Sequence, residues 1–335
     1  MADIRTTIQE IFSHKTVVIV GDLVADQFLN GTISRVSREA PVFILRHDNT
    51  QTVPGAAGNA AVNVASLGGR AVVIGLAGTD ANGVLLLDSL KDKGVSIEHI
   101  VGDSALTTTT KVRVLAGQHY AARQQVIRID YEASPKIGND LKHKLRENLA
   151  AVANTANAII VSDYNYGAVF REIFTDALAI SKERNIPLIV DSRFKLAEHS
   201  GATSATPNRD EVEHILGENF TANDCSGLRE KLGYESLLVT NGNQGMQLFE
   251  RGREPLTLAA VGATEPVDVT GAGDTVIAAY ALGLASGLNF ADAARIANHA
   301  GGIVVMKKGT ASASAGELLA SVDENNDPAV ADHAK

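Results

Sequence analysis

The sequence predicts an α/β fold, with a doubly wound, mostly parallel sheet flanked by helices and a small β-sheet lid. Short apolar runs rich in β-branched residues, each ending in a polar residue, are typical of buried parallel strands. They lie at 15–21, 71–74, 158–161, 187–190 and 236–239. Helical stretches alternate with them, at 59–67, 84–93, 141–152, 170–183 and 292–307. This alternation predicts repeated β-α-β units, whose ligands bind at the carboxyl ends of the strands.

Two β-rich parts of the chain break this alternation and predict the lid. They lie within about 34–53 and 105–131, and their strands are expected at 41–46, 107–115 and 125–131. The last two strands would pair antiparallel through the polar stretch around Gly117. Because a helical region separates the two parts, they must meet in space outside the main sheet. The alternative is that they form edge strands of that sheet.

The composition indicates one globular domain over 1–335, with a frayed polar tail at 323–335. The 30 basic and 39 acidic residues give a net charge of -9, which argues against a broad surface for nucleic acid or anionic membranes. The single cysteine, Cys225, excludes an intrachain disulfide and is typical of a reducing compartment. No apolar run approaches the roughly 18 residues of a membrane span, so we expect a cytoplasmic protein without membrane or nucleic-acid partners.

The string Asp-Val-Thr-Gly-Ala-Gly-Asp-Thr at 268–275 carries the most chemical information. The small residues Gly271, Ala272 and Gly273 let the backbone approach a ligand closely, and the amides that open the following helix would stabilise a negative group. Asp274 stands beside them, where a carboxylate can accept the proton of an attacking hydroxyl during phosphoryl transfer. The alternative for Asp274 is a helix N-cap after a glycine turn.

Together with five further motifs in the same order, this string resembles the signature of the ribokinase-like (PfkB) carbohydrate and nucleoside kinases. The other motifs stand at 21–22, 55–59, 206–211, 239–245 and 308–311. The resemblance extends over nearly the whole chain. It implies a ribokinase-like fold and an enzyme that transfers a phosphoryl group from ATP, with Mg²⁺, to a sugar hydroxyl.

The same resemblance implies a role for each motif. The base would be Asp274, and the anion hole would be formed by Gly271, Ala272 and Gly273. Sugar hydroxyls would be bound by Asp22, Gly55, Gly58 and Asn59. Mg²⁺ and the nucleotide would be held by Asn208, Glu211, Thr240, Gly242, Gly245 and Asn298. A monovalent cation such as K⁺ would be bound by Asp268 and Thr270.

Local structure offers alternative roles for some of these residues. Asn208 and Glu211 have the spacing of a capping box, Asn59 could be an N-cap, and Asp22 a turn residue. The sequence contains no P-loop motif, no dinucleotide-binding glycine motif after the first strand, and no zinc-type spacing of histidine and cysteine. These absences exclude the competing nucleotide-binding folds and a zinc site.

Within the family, the strings at 37–42, 109–114, 128–130 and 162–164 resemble most the branch of D-glycero-β-D-manno-heptose-7-phosphate kinases. A phosphosugar acceptor requires cationic side chains, which the lid would supply. These side chains are Lys111, Arg113, Arg123 and Arg128, and the alternative for them is a solvated strand face. The sequence departs from the branch where Tyr166 and Arg193 stand in place of two lysines.

Other functions stay open at this point. One is another kinase of the family, acting on ribose, fructose, a phosphofructose or a nucleoside, and another is a non-catalytic sugar-binding or scaffold protein. The intact Asp274 and glycine turn argue against the latter. A homodimer through the lid is expected, because an exposed strand edge invites pairing. The adenylyltransferase domain fused to some relatives is not expected, since only about 20 residues follow Gly316.

Overall fold

A computed structural model describes residues 3–118, 123–132, 136–262 and 265–324. In these ranges the chain forms thirteen strands and ten α-helices. The strands are β1 (Thr16–Gly21), β2 (Leu23–Val36), β3 (Phe43–Ala56), β4 (Arg70–Gly78), β5 (Ile100–Asp103), β6 (Thr110–Gly117), β7 (Gln124–Tyr131), β8 (Ala158–Asp163), β9 (Leu188–Ser192), β10 (Ser204–Ala205), β11 (Ser236–Thr240), β12 (Met246–Glu250) and β13 (Leu256–Leu258). The helices are α1 (Ile4–Thr6), α2 (Ala57–Ser66), α3 (Ala81–Asp92), α4 (Asn139–Val152), α5 (Arg171–Arg184), α6 (Arg209–Leu216), α7 (Ala222–Leu232), α8 (Ala272–Ala285), α9 (Phe290–Val304) and α10 (Ala315–Glu324).

The main sheet has nine strands in the order β13-β12-β11-β10-β9-β8-β1-β4-β5. The seven strands from β11 to β5 pair in parallel, whereas β12 and β13 are antiparallel additions at one edge. All six residues of the central strand β1 are buried. Burial on both faces explains its continuous apolar composition. The predicted doubly wound, mostly parallel sheet is confirmed.

Helices cover both faces of the main sheet, and the hydrophobic core accordingly forms two layers. One layer contains residues of α2, α3, α8, α9 and α10, and the other contains residues of α4, α5, α6 and α7. The chain passes from β1 to β4 and β5, then crosses to β8 on the other side of β1. The strand order therefore reverses between β1 and β8, and ligands of open α/β sheets bind in the crevice at such a reversal.

A second sheet, separate from the first, contains four strands in the order β3-β2-β6-β7. The strands β2 and β3, and β6 and β7, pair antiparallel, whereas β2 and β6 are parallel. The predicted small sheet is confirmed, and its strands are not edge strands of the main sheet. This sheet begins earlier than expected, because β2 follows β1 almost directly at Leu23. Polar residues such as Asp26 and Asn30 interrupt the apolar pattern of β2, which explains why the sequence did not reveal it.

The C-terminal helix α10 includes Asp323 and Glu324, the first two residues of the predicted tail 323–335. Arg5 donates a hydrogen bond to Asp323 at 2.8 Å, and this ion pair joins the last helix to the N-terminal segment. The rest of the predicted tail, 325–335, lies outside the described residues. Among the helices of the described ranges, none is long and apolar enough to cross a membrane.

The contact between the ends of β1 and β8 predicts a stability effect. A Cβ on Gly21 would lie 2.4 Å from the Ser162 carbonyl oxygen and 2.9 Å from the Ala57 Cβ. We expect Gly21→Ala to lower the free energy of unfolding by about 1–3 kcal/mol, as overpacking does in other cores. The control is Gly227→Ala on α7, where a Cβ meets no atom within 4 Å, so stability should rise by up to about 1 kcal/mol. Urea unfolding measures both values, and equal stabilities would contradict this packing argument.

Candidate active site

The carboxylate of Asp274 is held from both sides by side-chain hydrogen bonds. The Asn59 amide donates to Oδ2 at 2.8 Å, and the Tyr164 hydroxyl donates to Oδ1 at 3.0 Å. Asp274 lies in the first turn of α8, whose N-cap is Gly271, and only 5% of its surface is exposed. Asp274 is therefore not a helix N-cap. Likewise, Asn59 lies within the first turn of α2, after the N-cap Ala56.

Glycine is required at position 271. Gly271 has a φ of 77°, and a Cβ there would lie 2.4 Å from the Asn59 amide nitrogen. Any side chain would thus break the contact between Asn59 and Asp274. No side chain caps α8, and in the described part of the chain the Gly273 and Asp274 amides have no backbone acceptor. These amides can therefore donate to an anion in front of the helix.

Asp22 is bound by the loop that follows β8. The amides of Tyr164, Tyr166 and Ala168 donate to its carboxylate at 2.8, 3.0 and 2.9 Å. Burial raises the pKa of Asp22 to about 6, although these three hydrogen bonds lower it. Asp22 is therefore more than a turn residue. Its carboxylate joins the end of β1 to a loop that lies at least 142 residues later in the sequence. Its binding of sugar hydroxyls stays a prediction.

Tyr164 is the site residue that sequence reasoning missed. It comes directly after β8, whose last residue is Asp163. Burial, and then the charge of Asp274, raise the pKa of Tyr164 well above its usual value, so its hydroxyl remains a donor. The sequence feature that could have identified Tyr164 is its position at the carboxyl end of a buried strand, within the string 162–164. A hydroxyl donor at that place is positioned to contact a ligand-binding carboxylate.

Asp274 belongs to a group of carboxyls with raised pKa values. Burial and then the charge of Asp191 raise the pKa of Asp274 to about 8, against lowering by the Asn59 and Tyr164 hydrogen bonds. Burial, followed by the charges of Glu211 and Asp163, raises the pKa of Asp191 to about 8. A cation or hydrogen-bonding ligand near these groups would stabilise their charged forms.

Asn208 and Glu211 form the capping box at the start of α6. The Glu211 amide donates to Asn208 Oδ1, and the Asn208 amide donates to Glu211 Oε2, both at 2.9 Å. Burial raises the pKa of Glu211 to about 7. The capping alternative is thus observed, and each side-chain oxygen still has a second lone pair. Their role in metal binding stays a prediction.

The donor set suits Mg²⁺ bound largely through water and phosphate. Among residues 3–118, 123–132, 136–262 and 265–324, no three histidine, cysteine or carboxylate side chains form a cluster that holds a metal ion. Mg²⁺ commonly keeps several waters and uses one or two protein carboxylates together with substrate phosphates. Glu211, whose neighbours include Arg193 and Asp210, offers hard oxygen ligands of this kind.

A cavity of about 160 Å³ beside the start of α8 brings together four of the six predicted nucleotide-binding residues. Asn208 and Glu211 do not line it. Its lining includes Thr240, Gly242, Gly245, Ala272, Gly273 and Asn298. Glycine is required at 245, where φ is 87° and a Cβ would lie 2.0 Å from the Leu258 carbonyl oxygen. The Asn298 amide donates to the Ala259 carbonyl at 2.7 Å, which leaves its own oxygen to accept from a ligand. Sequence motifs 25 residues apart or more therefore converge on one cavity.

Asp268 joins the signature string to the last motif. Its carboxylate accepts hydrogen bonds from the Thr270 and Gly309 amides, both at 2.9 Å. Burial alone would raise the pKa of Asp268, but these hydrogen bonds lower it, so the group stays charged. A charged carboxylate is suited to a monovalent cation. Cation binding by Asp268 and Thr270 stays a prediction.

All four of the predicted lid cations are paired with carboxylates. Lys111 Nζ donates to Asp130 at 3.1 Å, Arg113 pairs with Asp26, and Arg128 donates to Asp130 at 2.8 Å. Arg123 lies apart from them: it pairs with Asp48 at 2.7 Å and lines a different cavity, with Lys308. The solvated-face alternative does not describe Lys111, which is 8% exposed. Contact of these cations with a substrate phosphate stays a prediction.

Gly55 and Gly58 allow close packing under the lid. A Cβ on Gly55 would lie 2.6 Å from Asp26 Oδ2, and one on Gly58 would lie 3.0 Å from the Pro54 Cβ. Between them Ala56 has a φ of 52°, a strained value for a residue with a side chain. Local strain of this kind is concentrated at functional sites. The two glycines thus permit close packing against Asp26 and Pro54. Their direct contact with sugar stays a prediction.

Comparison with known proteins shows the family to which the chain belongs. The family model described as pfkB family carbohydrate kinase matches residues 14–315. The chain belongs to this family of carbohydrate kinases. The bifunctional protein HldE of Geobacter sulfurreducens is 37% identical over 327 residues, which cover 95% of this chain and 66% of that protein. The chain therefore spans about two thirds of the length of the curated relatives it matches.

Solved structures of pfkB-like kinases share the fold. A ribokinase of Arabidopsis thaliana, complexed with ribose and ATP, superposes with a TM-score of 0.70 at 22% identity, over 92% of this chain and 98% of that one. Phosphofructokinase-2 of Escherichia coli, in complex with potassium, gives a TM-score of 0.74 at 18% identity, over 93% and 99% of the two chains. The predicted ribokinase-like fold and carbohydrate-kinase class are confirmed.

The raised carboxyl pKa values predict a pH dependence of stability. Folded pKa values of about 8 for Asp274 and Asp191 exceed the ordinary value of 3.8. The stability that these groups contribute is therefore complete below pH 3.8 and is lost as pH rises through 8. We expect Asp191→Asn to exceed the wild type in stability by at least about 1 kcal/mol at pH 9.

This difference should be smaller at pH 5 and should vanish only below about pH 3.8, where the carboxyls are protonated in both the folded and the unfolded wild type. Urea unfolding at the two pH values measures it in the absence of metal and nucleotide. Glu183→Gln, which changes an exposed carboxyl on α5, is the control and should show no such dependence. A wild type that equals Asp191→Asn at pH 9 would contradict the assigned charge repulsion.

Proposed function

We propose that this chain transfers the γ-phosphoryl group of Mg·ATP to a hydroxyl of a phosphosugar. The favoured acceptor is D-glycero-β-D-manno-heptose 7-phosphate, which would give the 1,7-bisphosphate. Phosphoryl transfer is supported above all by the buried Asp274 carboxylate, held by two side-chain donors next to the glycine turn. That turn and the nucleotide cavity share Ala272 and Gly273, so the base lies where the two substrates would meet.

In the proposed reaction the acceptor oxygen attacks the γ-phosphorus, the bond from that phosphorus to the β,γ-bridging oxygen breaks, and ADP leaves. The hydroxyl proton passes to the Asp274 carboxylate, whose raised pKa suits a base acting near neutral pH. Asn59 and Tyr164 orient that carboxylate. The amides of Gly273 and Asp274, at the positive end of α8, stabilise the charge on the transferred group. Bound Mg²⁺ would neutralise phosphate charge.

The heptose 7-phosphate acceptor is supported by the similarity to HldE and by the arrangement of the family strings. The strings 109–114 and 128–130 lie in β6 and β7 of the lid, and 162–164 ends at Tyr164 beside the base. The lid and this loop are joined, since Lys111 Nζ donates to the Tyr166 hydroxyl at 3.0 Å. Three of the four strings that indicate the branch therefore border one site, whereas 37–42 lies between β2 and β3.

The two departures from the branch affect how a phosphate would bind. Tyr166, in place of a lysine, donates to Glu132 at 3.2 Å and accepts from Lys111. Arg193 lies near Glu211, where its charge lowers the carboxyl pKa against the raising effect of burial. A phosphate group at the lid would have to replace Asp130 or Asp26 as the partner of a cation. We therefore propose that the phosphate of a phosphosugar replaces a carboxylate as the ion-pair partner of a lid cation.

Substrate choice is tested by measuring ADP release with a panel of acceptors. The panel contains the heptose 7-phosphate, ribose, fructose, fructose 6-phosphate and a nucleoside. We expect the highest kcat/KM with the heptose 7-phosphate. A higher kcat/KM with another sugar would support the proposed kinase activity but would contradict the heptose 7-phosphate as its acceptor. Sugar binding without any ADP release would favour a non-catalytic sugar-binding protein.

The base is tested by Asp274→Asn with the best acceptor of that panel. We expect kcat to fall by about 10²–10⁴-fold, the usual effect of losing general-base catalysis. The dissociation constant for ATP should stay the same, because the predicted nucleotide contacts are made by other residues. Calorimetry measures ATP binding, and coupled ADP detection measures kcat. Near wild-type turnover in Asp274→Asn would contradict the assignment.

We place the enzyme in the cytoplasm, where ATP is available and thiols stay reduced. Cys225, the single cysteine of the sequence, is buried and free of a disulfide. Burial raises the pKa of its thiol to about 11, which indicates an unreactive structural cysteine.

We also propose that two copies pair through the outer surface of the lid. Large apolar side chains on the lid strands are strongly exposed, at 58% for Phe43, 54% for Ile127, 42% for Ile129 and 53% for Tyr131. The strand β7 is an edge strand of its sheet. Contiguous exposed apolar surface on an edge strand is typical of a protein–protein interface.

Sedimentation analysis of Ile127→Glu tests the proposed dimer. A buried unpaired charge is costly in an interface, so we expect this variant to be monomeric at concentrations where the wild type is dimeric. Val84→Glu on α3 is the matched control, since Val84 is 52% exposed and lies outside the lid. Dissociation of both variants, or of neither, would argue against the lid as the interface.

A further inference from the structure

A second large cavity lies at the carboxyl ends of β8 and β9, away from the nucleotide cavity. Its volume is about 790 Å³, and its lining shares no residue with that of the nucleotide cavity. It is bounded by the first turns of α4 and α5 and by the loop that follows β9. The polar residues of its lining are Lys136, Lys142, Asp163, Arg171, Lys195, Glu198 and His199.

Positive charge predominates in this lining. Four lysine and arginine side chains face two carboxylates there, in a chain whose net charge is -9. One of the carboxylates, Asp163, already accepts hydrogen bonds from the Ser192 hydroxyl at 3.1 Å and the Asn165 amide at 3.0 Å. Formal positive charge in the lining therefore exceeds negative charge, which favours a negative ligand.

Two helix N-termini open onto the same cavity. The helices α4 and α5 have 14 residues each, and neither N-cap residue, Gly138 or Phe170, supplies a capping side chain. By contrast, α3, α6, α7 and α9 are capped by side chains at Asp80, Asn208, Thr221 and Asn289. Uncapped N-terminal amides donate to an outside acceptor, and the helix dipole favours negative charge at that end.

His199 provides an independent indication of a ligand. It lines the cavity and is 5% exposed. Its Nδ1 donates to the Lys195 carbonyl at 2.9 Å, so in the neutral ring Nε2 is an acceptor. Nε2 lies 3.7 Å from Asp163 Oδ2, too far for a hydrogen bond. A buried acceptor beside several cations matches a ligand that carries both negative oxygens and one hydroxyl proton.

We propose that this cavity binds the phosphate group of a phosphorylated small molecule, at a site separate from both the nucleotide and the acceptor. Arg171, Lys195 and the amides at the start of α4 and α5 would donate to its oxygens, and Nε2 of His199 would accept from its hydroxyl. Hydrogen phosphate at neutral pH has this combination of groups.

A ligand there would act on the catalytic site through the loop after β8. Asp163, the residue before that loop, lies in the cavity wall, and Gly167 and Val169 of the loop also line the cavity. The amides of Tyr164 and Tyr166 in this loop donate to the Asp22 carboxylate, and the Tyr164 hydroxyl donates to Asp274. A bound phosphate that joins α4, α5 and this loop therefore stabilises the arrangement that orients the base.

Isothermal titration of the whole chain with inorganic phosphate, at constant ionic strength in KCl, tests the site. The variant is Arg171→Gln/Lys195→Gln, and the control is Lys144→Gln/Lys182→Gln, which removes two exposed lysines outside the cavity lining. We expect one phosphate site in the wild type and in the control. In the cavity variant the dissociation constant should rise at least about tenfold, because charge-assisted hydrogen bonds are lost.

Further measurements distinguish phosphate binding in the proposed cavity from phosphate binding in the nucleotide or acceptor site. Phosphate should bind equally well when ATP and the acceptor are saturating, and should slow hydrogen exchange at the amides of Tyr164, Tyr166 and Ala168. Loss of binding with ATP would place phosphate in the nucleotide site, and loss with the acceptor would identify the acceptor's own phosphate site; either overturns the proposal. Equal binding by both double variants also overturns it. If the double variant does not fold, Arg171→Gln alone carries the test, since that side chain is exposed.

Discussion

A buried carboxylate held by donors from two distant parts of the chain is the constraint on which the site depends. Asn59 is 215 residues from Asp274 in the sequence, and Tyr164 is 110 residues from it. A buried carboxylate without such partners would be strongly unfavourable. The helices α2 and α8 and the end of β8 must therefore meet at one point. The left-handed Gly271 permits this meeting, because a Cβ there would displace the Asn59 amide.

The loop after β8 connects the other parts of the site to this carboxylate. Its backbone amides hold Asp22 at the end of β1, and its Tyr166 hydroxyl contacts Lys111 of the lid. The same loop thus joins the first strand, the base and the lid sheet. Asp163, the last residue of β8, borders the proposed phosphate cavity, as do Gly167 and Val169 of the loop. Movement of this loop would change several contacts at once, which makes it the part of the fold through which a second ligand can act.

Charge is distributed unevenly around the site, and this distribution suits anionic substrates. Near the glycine turn, carboxyls such as Asp274 and Asp191 have raised pKa values because burial and mutual repulsion disfavour their charged forms. On the lid, by contrast, Lys111 and Arg113 are paired with carboxylates. Binding of a metal–nucleotide complex would relieve the first group, and a sugar phosphate would compete for the second.

The sequence alone determined the parallel sheet, its helices, three of the four strands of the second sheet and the family, because buried strands and ordered motifs are local features of the chain. It also singled out Asp274 and the glycine turn, since small residues before a helix have a recognisable pattern. Tertiary structure alone decided that Tyr164 contacts Asp274, that three amides hold Asp22, and that the lid cations are paired. These contacts depend on which strand ends become neighbours in the sheet. The hydrophobic periodicity of the sequence indicates which residues face the core, but it does not identify the residue that each of them contacts.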